Sequence, residues 1–280
     1  MAKNTSNNIM DRDSLQNVLG INLQKVVKSN KTLSEKAQVM KNVNAKMQAG
    51  TSAEGCFVDI LKGKDKQAAI NHWIDILDQH KPLHPKDAEQ KLICKKAFPD
   101  VVDNLLTIAN EHHIQPILTQ ELVQGKMHQL KRPIGGYVDI TEEHYINEIK
   151  TAWPSVIEKK DGFGIRKPTN LAQPRVYWVR QVATYAHAAQ KKPRILYADP
   201  LRSIVFDADS TDYLNEQHLK AARETMRVSA RARENLLSIS ENYKMLARFI
   251  APDFTTFIWN DIDQNTMNEI KEIWGYENEL

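Results

Sequence analysis

The chain has 280 residues, 41% hydrophobic and 26% charged, with a formal net charge of +3 at pH 7. That describes a soluble globular protein with enough chain for a substantial core: one elaborated domain, or one domain with a helical extension. Cys56 and Cys94 are the only cysteines and form no CxxC, which argues against a disulfide framework and a structural zinc site and excludes a four-cysteine iron–sulfur cluster. No apolar run is long enough for a membrane span, and none follows Met1-Ala2-Lys3 as a secretory signal needs. The expected location is the cytoplasm, the host's if the gene is phage-encoded.

Residues 1–30 are rich in Asn, Ser and Lys, and Leu15, Val18, Leu19, Leu23 and Val26 recur at helical spacing. A second helix is expected from Thr32 or Ser34 to Gly50, which reads as a stop. The next begins at Thr51 or Ser52, good N-caps, with Glu54 in a first turn where a carboxylate favours the dipole. Three further helices are expected at 69–77, 85–97 and 101–112, the last two separated by Phe98-Pro99-Asp100. The adjacent His112 and His113 point in different directions on a helix and read as surface residues.

The pattern changes at Gln115-Pro116. Strands are expected at 117–123, at 127–130 with 134–140 (broken at Pro133) and at 145–152, and three in succession with tight turns make an antiparallel meander. Residues 153–167 read as a long basic loop, functional or mobile. A helix from 172 or 174 to 189 and strands at 194–199 and 202–207 add an α/β element. Residues 210–250 read as helix, where Arg223, Arg227 and Arg231 form an i, i+4, i+8 row. That row is either a solvated face with Glu224 and Glu234 or a phosphate-tracking ridge. A strand or turn at 254–259 and a helix at 267–274 close the chain.

Within the meander, Glu148 and Lys150 share one strand face while Ile149 points to the other, toward a core. If the neighbouring strands pair through a turn at 141–144, Asp139 comes alongside, and two carboxylates and one ammonium converge. Two acids at one spot repel, and a cation between them relieves the repulsion. A divalent-metal site for phosphodiester chemistry is the expectation. Glu121, an acid in an otherwise apolar strand, faces either solvent or the same site.

Gly136-Tyr137-Val138-Asp139, Glu148-Ile149-Lys150 and Gln181-Val182-Ala183-Thr184-Tyr185 resemble the PD-(D/E)XK nuclease superfamily, and within it the RecB-like, phage-type exonuclease branch. That branch is marked by a G-x-x-D strand, an E-x-K strand and a following Q-x-x-x-Y helix. Gly50-Thr51-Ser52-Ala53-Glu54 is similar to its first motif, with glutamate where many members carry histidine, and Glu121 is similar to the acid often found on the strand before the aspartate. An E-x-K triplet alone says almost nothing; the three motifs in strand-strand-helix-strand order say much more. The resemblance covers residues 50–208 and implies an α/β (α+β) nuclease core, a mixed sheet flanked by helices. Residues 1–49 would be a helical lead-in and 209–280 a C-terminal helical extension packed on the core.

The resemblance implies a Mg2+- or Mn2+-dependent DNA exonuclease of phage or bacterial recombination, repair or degradation. Asp139 and Glu148 would hold the metal with the Ile149 carbonyl, and Glu54 and Glu121 would complete the shell. Lys150 would orient or deprotonate the attacking water, Gln181 would bind the phosphate or a metal water, and Tyr185 would pack beneath it or stack on a nucleotide. Lys126, Arg132, Lys159, Lys160, Arg166 and Lys167 are the candidate DNA-binding residues, each equally readable as a solvated side chain. DNA is the expected partner, with a second copy or a recombination or single-strand-binding protein also allowed. The alternatives are a structure-specific or restriction-type endonuclease on the same scaffold, or an inactive nucleic-acid-binding relative.

Overall fold

The structure is a computed structural model that describes residues 44–240 and the single positions 242, 245, 264, 267, 268 and 271. The expectations for residues 1–43, and for 254–259 and 267–274 apart from those single positions, lie outside the described residues. Contacts divide the chain into two units, one of 43–125 and 135–224, the other of 1–42, 126–134 and 225–280. Among the described residues no helix is long and apolar enough to cross a membrane.

The larger unit opens with helices α1 (Ala45–Leu61), α2 (Lys66–Asp78) and α3 (Pro85–Glu111). Strands β1 (Leu118–Gly125), β2 (Ile134–Thr141), β3 (Tyr145–Thr151), β6 (Lys192–Asp199) and β7 (Arg202–Phe206) form one sheet in the order β1-β2-β3-β6-β7. Helix α4 (Val176–Ala189) lies between β3 and β6 in the chain, and those two strands pair in parallel, as a crossover helix requires. The β2–β3 and β6–β7 pairs are antiparallel, so the sheet is mixed and the unit is α/β with helices on both faces. Ile149, Leu196 and Ala198 join the α1–α3 side chains in one apolar cluster. Their strand neighbours Ile195 and Tyr197 pack with Trp178, Val179 and Val182 of α4 on the other face.

Helix α1 runs straight through Gly50, which is therefore no stop. Its N-cap is Asn44, whose side chain accepts the Met47 N–H at 3.0 Å. The stripe Ala49, Ala53, Cys56 and Phe57 is fully buried, and a Cβ on Gly50 would stand 3.2 Å from the Thr151 hydroxyl, so the glycine serves close helix–sheet approach. Helix α3 likewise continues through Pro99. A proline in a helix interior costs about 3 kcal/mol, whereas each of the fully buried Phe98, Val101, Val102 and Leu105 contributes about 1.5–3 kcal/mol. Packing outweighs the lost backbone bond.

Two further expectations change. Residues 127–130 are not strand: Gln129 is left-handed (φ 66) and β2 begins at Ile134. Residues 153–167 are not a loop throughout but contain a separate hairpin, β4 (Ser155–Lys159) and β5 (Gly162–Arg166). Its turn is Lys160-Asp161, followed by Gly162 at φ +124, a backbone that glycine adopts without strain.

In the smaller unit, Met127, Ile134, Met226 and Ala230 cluster, the last two from helix α5 (Glu216–Ile239). The Glu234 carboxylate accepts the Lys131 and Arg132 N–H groups at 3.0 and 2.8 Å. Arg227 and Arg231 donate to the Gln129 side-chain carbonyl, and in the larger unit Arg223 pairs with Glu216 at 2.6 Å. All three guanidiniums of the row therefore have partners within the fold.

Candidate active site

Strand β3 places Glu148 and Lys150 on the face toward α4 and Ile149 in the opposite core, as the alternation requires. Lys150 Nζ donates to Glu148 Oε1 at 2.7 Å and to Gln181 Oε1 at 2.9 Å. The Gln181 amide returns an N–H to the same Glu148 oxygen at 2.9 Å. Glu148 is 1% exposed and Gln181 7%. Burying a carboxylate this deeply is tolerable only with donors around it, and a lysine and an amide supply them.

Asp139 comes from β2, at a break in its alternation. Val138 packs with Tyr185 and Ala186 on the α4 face, yet Ile140, two residues on, packs into the α1–α3 cluster. The β2–β3 register is Ile140↔Asn147 and Thr141↔Ile146. Beyond it the Ile149 N–H is taken at 2.8 Å by the Asp139 carboxylate instead of a backbone carbonyl. The N–H and C=O of one strand residue point to the same edge. The Ile149 carbonyl therefore also faces the gap beside Asp139.

Neither Thr51 nor Ser52 is an N-cap and Glu54 is not in a first turn, because the helix begins at Ala45. Glu54 sits in the middle of α1, buried, and its carboxylate accepts the Gln120 side-chain amide. The same amide nitrogen reaches Asp139 Oδ1 at 3.2 Å, so one donor bridges acids from α1 and β2. Gln120 has φ 53, a left-handed backbone rare outside glycine, and such strain at a non-glycine residue needs surroundings that fix it. Sequence reasoning missed Gln120, because no periodicity marks a strained strand residue. Glu121 accepts the Thr141 hydroxyl at 2.6 Å, two residues along β2 from Asp139.

Tyr185 lies one helical turn beyond Gln181 and its hydroxyl accepts the Gln181 amide at 3.3 Å. A Cβ on Gly136 would collide with the Tyr185 hydroxyl, and one on Gly135 with the Val123 carbonyl. The glycine pair ahead of Asp139 thus lets β2 lie tight against both β1 and the tyrosine. Not every buried acid here belongs to the site: Glu142 accepts from Asn147 at 2.7 Å, Arg194 at 3.2 Å and the Gln115 N–H at 3.2 Å, and so fastens the β2–β3 turn.

Among the described residues no three His, Cys, Asp or Glu side chains stand together as a metal cage. Magnesium, however, is held through one or two carboxylates and keeps several waters. Asp139, Glu148 and the Ile149 carbonyl are the oxygen donors here that could hold such an ion. Burial raises the Cys56 thiol to about 12 and the Cys94 thiol to about 11, which removes both as thiolate nucleophiles at neutral pH. Of the basic candidates, Lys159, Lys160, Arg166 and Lys167 are exposed on or beside the hairpin, and Lys126 and Arg132 are exposed in the smaller unit. Comparison with protein-family models, with curated proteins and with solved structures returns no match.

Proposed function

We propose that the chain is a Mg2+- or Mn2+-dependent deoxyribonuclease of the PD-(D/E)XK type, acting as an exonuclease in phage or bacterial DNA recombination, repair or degradation. The observation that supports this most is the meeting of Lys150 and Gln181 on one Glu148 oxygen, with Asp139 taking the N–H of the residue between Glu148 and Lys150. Asp139, Glu148 and the Ile149 carbonyl are the residues that would hold the cation, with Glu54, and Glu121 through water, as outer partners. When bound, a divalent cation polarises the scissile phosphate and acidifies water. Lys150 would orient the attacking water and offset the charge growing on the phosphate oxygens. Gln181 would hold Lys150 and Glu148 in place and offer its amide to phosphate, with Tyr185 supporting it from below.

In hydrolysis the water oxygen forms a bond to phosphorus, the P–O bond to the departing nucleotide breaks, and a proton ends on that leaving oxygen. The test is incubation with Mg2+ of linear duplex, linear single-stranded and covalently closed circular DNA. Loss of linear DNA with the closed circle intact is the expected result. Nicking of the circle reassigns the chain to the endonucleases, and no cleavage of any form overturns the enzyme reading.

A further inference from the structure

The hairpin β4–β5 is fixed at its root and open at its outer strand. Ala152 N–H donates to the Ala198 carbonyl at 2.9 Å, and Trp153 stacks on Phe98 with ring centroids 6.1 Å apart. Gln90 of α3 donates to the Pro154 carbonyl at 2.7 Å and accepts the Val156 N–H at 2.9 Å. Lys46 of α1 donates to the Ser155 hydroxyl at 2.6 Å, and Lys86 of α3 pairs with Glu158 at 3.2 Å. An isolated two-stranded hairpin is marginal in water; these anchors hold β4 to the helices. Lys46 and Glu54 are eight residues apart on α1, about 12 Å along its axis. The hairpin leaves β3 shortly after Lys150, at the end of the strand that carries the ammonium.

The outer strand β5 has a different character. Phe163 is 48% exposed and Ile165 64%, and two residues apart on one strand they share a face. Lys160 in the turn and Lys167 just past β5 are exposed beside them, Lys159 and Arg166 stand on the opposite face of the hairpin, and Glu158, directly across from Phe163, is paired with Lys86. A Cβ on Gly164 would collide with the Lys159 stem, so the glycine lets that lysine lie across the face of β5 opposite Phe163 and Ile165. Scattered exposed apolar residues need no explanation. An aromatic ring and an isoleucine on one face of a rigidly rooted hairpin, with Lys160 at the turn and Lys167 at the strand end, are a more specific combination. It matches a polyanion that also presents flat apolar faces.

We propose that β4–β5 is a base-stacking finger for unpaired nucleotides: a base stacks on Phe163, Ile165 flanks it, and Lys160 and Lys167, at the two ends of β5, hold the adjoining phosphates. A duplex hides its base faces within its own stack, whereas a single strand or frayed end offers them. The cations alone would serve either form; the exposed ring decides for the unpaired one. This rests on the nuclease reading for its biological sense and narrows the substrate to single-stranded or end-frayed DNA.

The test measures binding in EDTA, where metal-dependent cleavage is silent, by fluorescence anisotropy of labelled oligo-dT and of a blunt duplex of equal length. Phe163→Ala should weaken oligo-dT binding about tenfold and leave duplex binding nearly unchanged, whereas Phe163→Trp should retain wild-type affinity. Phe163→Leu, which keeps apolar bulk without a ring of π-electrons, should behave like the alanine variant. Melting curves of all three should match wild type, because the ring is exposed. Unchanged oligo-dT binding in Phe163→Ala, equal loss on the duplex, or no binding of either oligonucleotide by wild type overturns the proposal. Cleavage assays with Mg2+ are scored separately: stacking-dependent binding without cleavage upholds the finger and sinks the nuclease reading, and cleavage without Phe163 dependence does the reverse.

Discussion

Lys150 and Gln181 stand 2.9 Å apart, ammonium to amide oxygen, and both donate to the same oxygen of Glu148. One residue comes from a strand and the other from the crossover helix, so the sheet–helix packing sets the spacing of the polar groups. On the proposed nuclease reading, Lys150→Ala removes the charge that would face the phosphate and should lower cleavage by about a thousandfold. Gln181 still donates to Glu148 in that variant, but the buried carboxylate loses its charged partner, so the melting temperature should fall as well. Gln181→Ala should show a smaller loss of activity. Comparable cleavage by wild type and Lys150→Ala would remove the lysine from the chemistry.

Gly136 and Tyr185 form a steric pair that can be tested without any substrate. Gly136→Ala forces a Cβ into the tyrosine hydroxyl and should destabilise the fold by about 1–3 kcal/mol. Adding Tyr185→Phe removes the oxygen and should recover part of that loss, a coupling a double-mutant cycle measures. Gly135→Ala is the control: its clash is with the Val123 carbonyl, which Tyr185→Phe leaves in place.

The Gln120 amide occupies the space between Glu54 and Asp139, where a cation bound to Asp139 would compete with it. Gln120→Ala should therefore gain more melting temperature than wild type on adding millimolar Mg2+, because binding to the folded state stabilises it by mass action. An equal or smaller gain would show that the amide and the cation do not share these oxygens.

Asp87 ties the start of α1 to α3. Burial alone would raise its carboxyl, but the Ala45 and Leu83 N–H groups and His80 outweigh that and hold it below its ordinary value of 3.8. A carboxyl depressed in the folded state gives stability that is complete above the ordinary value and is lost as pH falls through the lower, folded one. Asp87→Asn should cost about 2 kcal/mol at neutral pH. Its melting temperature should also fall less steeply than that of wild type as pH drops from about 6 to 3; parallel profiles would contradict the assignment.

Alternation and spacing made the sheet legible: the order of β1, β2 and β3, the helix before β6, and the shared face of Glu148 and Lys150 all follow from period-2 and period-3.6 patterns in the chain. The same local rules misplaced Gly50 and Pro99, because breakers are overruled where the flanking side chains are fully buried. Glu54 shows the limit most clearly. In the sequence it is a first-turn acid; in the fold it is a buried partner of Gln120, sixty-six residues away. Gln120 itself, its left-handed backbone, and the two anchors Gln90 and Lys46 that turn a basic loop into a rooted hairpin depend on contacts between distant segments. The chain by itself determined which residue types lie on which face of which element. Only tertiary packing decided which acids share a donor and which hairpin strand is left open to carry an exposed ring, because those distances are set by how helices and strands close on one another.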